Sequence, residues 1–121
     1  MKKFVNLSNH GSGAWGEAQT SAAKVYGDIV DVPYPQVPTD LDENQFLELV
    51  ESTVASVLAH EPAMVMCQGE MTTCFSIVSR LKAAGIPVVA AVSERKAVEK
   101  VVDGQTVKTA VFEFKGFRPY I

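Results

Sequence analysis

Three short polar stretches hold the side chains capable of chemistry: Ser8-Asn9-His10-Gly11-Ser12-Gly13, Gln68-Gly69-Glu70-Met71-Thr72-Thr73 and Ser93-Glu94-Arg95. His10 has an intrinsic pKa near neutrality, which suits it to move a proton or to hydrogen-bond a phosphate; its simpler role is that of a turn histidine resting on backbone. Arg95 offers a permanently charged planar fork that fits phosphate, or that pairs with Glu94. Gly69 lets a ligand approach the main chain, and the helix start beyond it exposes N–H groups where anions bind. The plainer alternative makes Gly69 a turn residue and Thr72 or Thr73 a helix cap. Glu70 at that helix start suits the helix dipole and repels phosphate, so in a binding site it would meet a base or a ribose hydroxyl. Gln68 can read a base edge or ribose, or satisfy the turn backbone. Cys67 and Cys74 fall on an apolar strand end and a helix, where free cysteine packs as a small hydrophobe.

Several chemistries lack their signatures. Gly11, Gly13 and Gly16 are wrongly spaced for a dinucleotide fingerprint, and no Gly-Lys-Ser/Thr marks a P-loop. No His, Asp and Glu cluster has metal-ligand spacing, so neither a metal nor another cofactor is expected. His60 reads as a solvated residue at a helix end. A formal net charge of −3 argues against nonspecific binding to duplex nucleic acid, yet leaves room for a small anion in one crevice.

The elements that position these stretches follow from hydrophobic spacing. Phe4 to Leu7 predicts a strand, and Trp15, Ala18, Ala22, Val25 and Tyr26 mark a helical face closed by Gly27. Asp28 to Val32 predicts a second strand, stopped by Pro33, Pro35 and Pro38. Thr39, Asp40, Asp42 and Glu43 signal the start of a helix with Phe46, Leu47, Val50, Val54, Val57 and Leu58 inward. Ala63 to Cys67 predicts a buried strand, and Met71, Phe75, Val78 and Leu81 the next helix face. Ile86 to Val92 reads as a fourth strand ending in Ser93-Glu94-Arg95, and Ala97–Val102 with Thr106–Phe114 as a hairpin about Asp103-Gly104. The tail Gly116 to Tyr120 is expected to cover a sheet edge or a partner subunit.

Alternating strands and helices predict an α/β fold: a Rossmann-like, mostly parallel sheet flanked by helices, with a C-terminal β-hairpin. At 121 residues the expectation is one domain, residues 1–121. No segment reaches the ~18 apolar residues of a membrane span and the N-terminus is a poor signal peptide, so a cytoplasmic protein is expected. In such a sheet the strands' carboxyl ends share an edge, which gathers the three polar stretches into one crevice.

Leu7-Ser8-Asn9-His10, Gln19, Asp31-Val32-Pro33, Cys67-Gln68-Gly69-Glu70-Met71-Thr72 and Ser93-Glu94-Arg95 together resemble small CRISPR-associated proteins built on a minimal CARF (CRISPR-associated Rossmann fold) domain. The likeness is spread over residues 4–95. It departs at Gly11 to Trp15, where the relatives have Pro or a longer residue followed by Leu-Thr, and at Glu70, where they often have Asp. The resemblance implies a homodimer that binds cyclic oligoadenylate, most often the tetramer, and that in some members degrades it as a metal-independent ring nuclease. It implies His10 and Arg95 in catalysis. Ser8, Asn9, Gly11, Gln68, Gly69, Glu70, Met71, Thr72, Thr73, Ser93 and Glu94 would hold the ligand. A noncatalytic Rossmann-like module that binds a mononucleotide or small anion, or that serves chiefly as an interaction subunit, is the alternative.

Overall fold

Runs of β-branched and apolar residues form the strands, and segments of helical spacing cross between them. The computed structural model describes residues 2–121. Strand β1 (Lys3–Ser8) is followed by a short 3-10 turn (Ser12–Ala14), helix α1 (Glu17–Lys24) and β2 (Asp28–Pro33). Then come α2 (Glu43–Leu58), β3 (Met64–Gln68), α3 (Met71–Ala83), β4 (Val88–Val102) and β5 (Gln105–Pro119). The sheet order is β2-β1-β3-β4-β5, parallel except for antiparallel β5. The chain is an α/β protein with a mostly parallel sheet, helices against it and a terminal antiparallel pair.

Because side chains alternate along β1, Val5 and Leu7 face one side of the sheet and Phe4 the other. Val5, Leu7, Val65 and Cys67 pack with Val50, Val54 and Val57 of α2 and Ile77, Val78 and Leu81 of α3. Phe4, Met66 and Val89 pack with Ala23 of α1, flanked by Trp15 and Phe117. Burying each Val, Leu or Ile side chain contributes about 1.5–3 kcal/mol. Asp42 and Gln45 close a capping box on α2, which places its start inside the acidic run that signalled it.

Several helix faces differ from expectation. In α3 the buried positions are Thr73, Cys74, Ile77, Val78 and Leu81, while Met71 is 82% and Phe75 74% exposed. Two apolar stripes overlap on this helix, and contact with the sheet selects the one through Cys74 and Ile77. Leu47 and Leu58 of α2 are likewise exposed. Helix α1 ends at Lys24, which leaves Val25 and Tyr26 in an exposed turn. Gly27 serves the start of β2 rather than a helix cap: a Cβ there would stand 2.5 Å from the Lys2 carbonyl oxygen.

The fourth strand also differs. Ser93-Glu94-Arg95 is no turn; β4 runs through it unbroken and pairs with β5 from Val89↔Pro119 to Val102↔Gln105, with a bulge between Val92 and Ser93. Nothing in Ser-Glu-Arg breaks a strand, and an exposed ribbon does not require apolar alternation to persist. Asp103 and Gly104, with φ of 51° and 77°, make the hairpin turn as expected. From Ser93 to Val102 the ribbon projects beyond the parallel strands by roughly 30 Å, at ~3.4 Å per residue. Gly116 to Pro119 form the sheet edge beside β4.

Candidate functional site

The chain leaves β1 for β2 on one side, then crosses back to place β3 on the other. At this reversal the ends of β1 and β3 lie side by side, Ser8 opposite Gln68, and their following turns diverge. Open α/β sheets bind ligands at such a point. A cavity of about 860 Å³ opens there, lined by Ser8, Asn9 and His10, by Trp15 to Gln19, by Gln68 and Gly69, and by Ala91, Ser93 and Phe112 to Phe114 of the ribbon.

Strands β3 and β4 pair only through Val65↔Val88 and Met66↔Val89 before separating. The Gln68 side chain bridges the gap, its Oε1 accepting from the Ala91 N–H at 2.8 Å. That leaves the Gln68 amide nitrogen without a partner among the described residues.

The first turn is braced by a residue that sequence reasoning passed over as ordinary strand. Asn6 is buried; its Nδ2 donates to the His10 carbonyl at 2.8 Å and to Asp31 Oδ1 at 3.0 Å, and its Oδ1 accepts from the Ser8 hydroxyl at 2.7 Å. Asp31 in turn accepts from the Ser12 N–H at 3.2 Å and the Ser12 hydroxyl at 3.0 Å. A polar residue inside an apolar strand was the available signal, since burying an amide is costly unless it is hydrogen-bonded. The bonding fixes the His10 backbone, while among the described residues no hydrogen bond ties its ring at the crevice.

The α3 N-terminus is not the open anion site that the spacing suggested. The Glu70 carboxylate accepts from the Thr72 and Thr73 N–H groups, both at 2.9 Å, and from both threonine hydroxyls at 2.6 Å. Those bonds, the hydroxyls first, hold the Glu70 carboxyl down to about 2. Glu70, Met71, Thr72 and Thr73 therefore lie outside the crevice lining, with Thr73 buried. Gly69 lines the crevice but serves packing: a Cβ would fall 2.2 Å from Cζ of buried Tyr34, whose hydroxyl donates to the Glu70 carbonyl at 3.1 Å.

The remaining expected residues divide. Gly11 faces a neighbouring cleft beside Asp31. Ser93 joins the crevice; Glu94 and Arg95 lie outside its lining, Glu94 paired with Lys115 at 3.5 Å and Arg95 opposite Phe112 across the ribbon. Cys67 and Cys74 are buried, with their sulfurs 3.6 Å apart.

An uncapped helix start exists elsewhere. Gly16 makes no side-chain cap on α1, and Gly16 to Gln19 line the crevice, so this helix start borders the crevice without a side-chain cap. The lining contains no Lys or Arg and includes Glu17 and Glu113. Lys96 at 2.7 Å and Lys115 at 3.0 Å offset the Glu113 charge and lower its carboxyl to about 2. Among the described residues no group of three or more His, Cys, Asp and Glu is placed to hold a metal, and no helix is long and apolar enough to cross a membrane.

No curated protein matches the chain. A family model matches residues 2–118, nearly the whole length over which the crevice, its bracing and the ribbon are built; the chain belongs to the uncharacterized protein MJ1673 family.

Proposed function

We propose that this Rossmann-like chain is a cytoplasmic homodimer that binds a cyclic oligoadenylate, most readily the tetramer, and cleaves it as a metal-independent ring nuclease that switches off type III CRISPR signalling. The observation that supports this reading is the convergence of the uncapped α1 terminus and the His10 imidazole on one crevice. A ribose 2′-hydroxyl attacks the adjacent phosphorus, its proton passes to a base, and the 5′-oxygen leaves with a proton, giving a cyclic 2′,3′-phosphate end. His10 assists proton transfer, and the α1 amides stabilise charge on the phosphoryl oxygens. Trp15 and Phe112 offer ring faces for adenine, and the Gln68 amide a donor for a base edge or ribose. Arg95 lies outside the lining and is assigned no step.

Chromatography of cyclic oligoadenylates of different ring size after incubation with the protein and a chelator tests this. The tetramer should yield linear products with cyclic phosphate ends, and His10→Ala should slow the reaction ~10²-fold with a smaller effect on affinity. Absence of binding to every ring would overturn the reading. One observation favours a noncatalytic module for a smaller, weakly charged ligand: the lining holds Glu17 and no Lys or Arg. Calorimetry separates the two, since a ring on a twofold axis binds once per dimer and independent sites bind twice.

A further inference from the structure

Cys67 is the penultimate residue of β3 and Cys74 stands in the first turn of α3, so the turn that borders the crevice is flanked by two thiols. Their sulfurs are 3.6 Å apart, in van der Waals contact, and neither is engaged in a disulfide. The pair is asymmetric. Cys67 is fully buried, whereas Cys74 is 8% exposed and lines a second cavity of about 560 Å³ with Met71, Phe75, Val78 and Tyr120. The Tyr120 hydroxyl lies 3.6 Å from the Cys74 sulfur and donates to the Cys67 carbonyl at 2.7 Å.

We propose that Cys67 and Cys74 form a redox-active dithiol site that reacts with a small peroxide entering the second cavity and closes to an intramolecular disulfide. In the first step the Cys74 thiolate attacks one peroxide oxygen, the O–O bond breaks, and a sulfenic acid forms as hydroxide leaves. In the second step the Cys67 sulfur attacks the Cys74 sulfur, the S–O bond breaks, and the Cys67 proton departs with the hydroxyl as water. Each sulfur is oxidised by one electron and the peroxide is reduced by two. The order follows from access: Cys74 meets the cavity, and Cys67 waits behind it in contact. The hydrogen bond from the Cys67 thiol stabilises charge on Cys74 and lowers its pKa, while that same bond and burial push Cys67 up. Closing the bond draws the sulfurs from 3.6 Å to ~2.05 Å. That shift falls across Gln68-Gly69-Glu70, so oxidation acts on the crevice wall whatever ligand it holds.

The test is treatment of the whole protein with hydrogen peroxide, followed by thiol titration under denaturing conditions and mass spectrometry. Wild type should lose both thiols and the mass of two hydrogen atoms while staying monomeric on nonreducing gels, and a reductant should restore it. Cys67→Ala should stop at a sulfenic acid on Cys74, trapped by dimedone; Cys74→Ala should leave Cys67 unreacted. Retention of both thiols in folded wild type, a disulfide only between chains, or dimedone capture at Cys67 in Cys74→Ala would overturn the proposal. The wild-type measurement stands alone if a variant fails to fold, and none of these readouts depends on a nucleotide ligand.

Discussion

Gly69→Ala tests whether this glycine serves the crevice or the core. Its Cβ would stand 2.2 Å from Tyr34 Cζ, so at an ordinary carbon contact of ~3.5 Å the ring must retreat by about 1.3 Å. Tyr34 is only 8% exposed and its hydroxyl is bonded to the Glu70 carbonyl, so the ring has two options. It stays and strains its neighbours at a cost of about 1–3 kcal/mol. Otherwise it leaves, forfeiting about 1.5–3 kcal/mol of burial and about 0.5–1.5 kcal/mol for the hydrogen bond. Gly69 is not among the positive-φ glycines, so no backbone strain adds to this. Urea unfolding followed by circular dichroism should show a loss of about 2–3 kcal/mol for Gly69→Ala, more for Gly69→Val. In a Tyr34→Ala background the same substitution should cost less than ~0.5 kcal/mol, because the atoms it strikes are gone. Equal costs in the two backgrounds would refute the packing role and return Gly69 to the ligand.

Asn6→Ala strands the buried partners of the first turn and should cost about 1–3 kcal/mol in the same assay, with faster exchange of the His10 amide by hydrogen exchange. Glu70 has a folded-state pKa of about 2 against an ordinary 4.5, so its stabilisation is complete above pH 4.5 and is lost as pH falls toward 2. Thermal melts should therefore show wild type and Glu70→Gln furthest apart above pH 4.5 and converging toward pH 2. Gln68→Ala removes the bridge to Ala91 and should weaken nucleotide binding in calorimetry while melting within a few degrees of wild type, since one neutral hydrogen bond contributes about 1 kcal/mol.

Spacing alone was sufficient for the order of strands and helices from β1 to α3, the hairpin turn at Asp103-Gly104 and the edge on which the turns after β1 and β3 gather, but not for the unbroken run of β4 through Ser93-Glu94-Arg95. Those depend on local periodicity, turn chemistry and the handedness of crossovers. His10, Gln68 and Ser93 were placed at one crevice for the same reason. Tertiary contact decided the rest. An acidic residue before a helix reads equally as cap or ligand contact until Glu70 is seen bonded to Thr72 and Thr73, which transfers the open helix terminus from α3 to α1. A turn glycine reads as room for a ligand until the Tyr34 ring, from a loop 35 positions away, is found occupying the space. Asn6 and Asp31 brace the first turn from two neighbouring strands, and Cys67 meets Cys74 only because α3 folds back on β3. Each of these turns on which side chain fills a volume or satisfies a donor across the chain, and linear spacing holds no information about that distance.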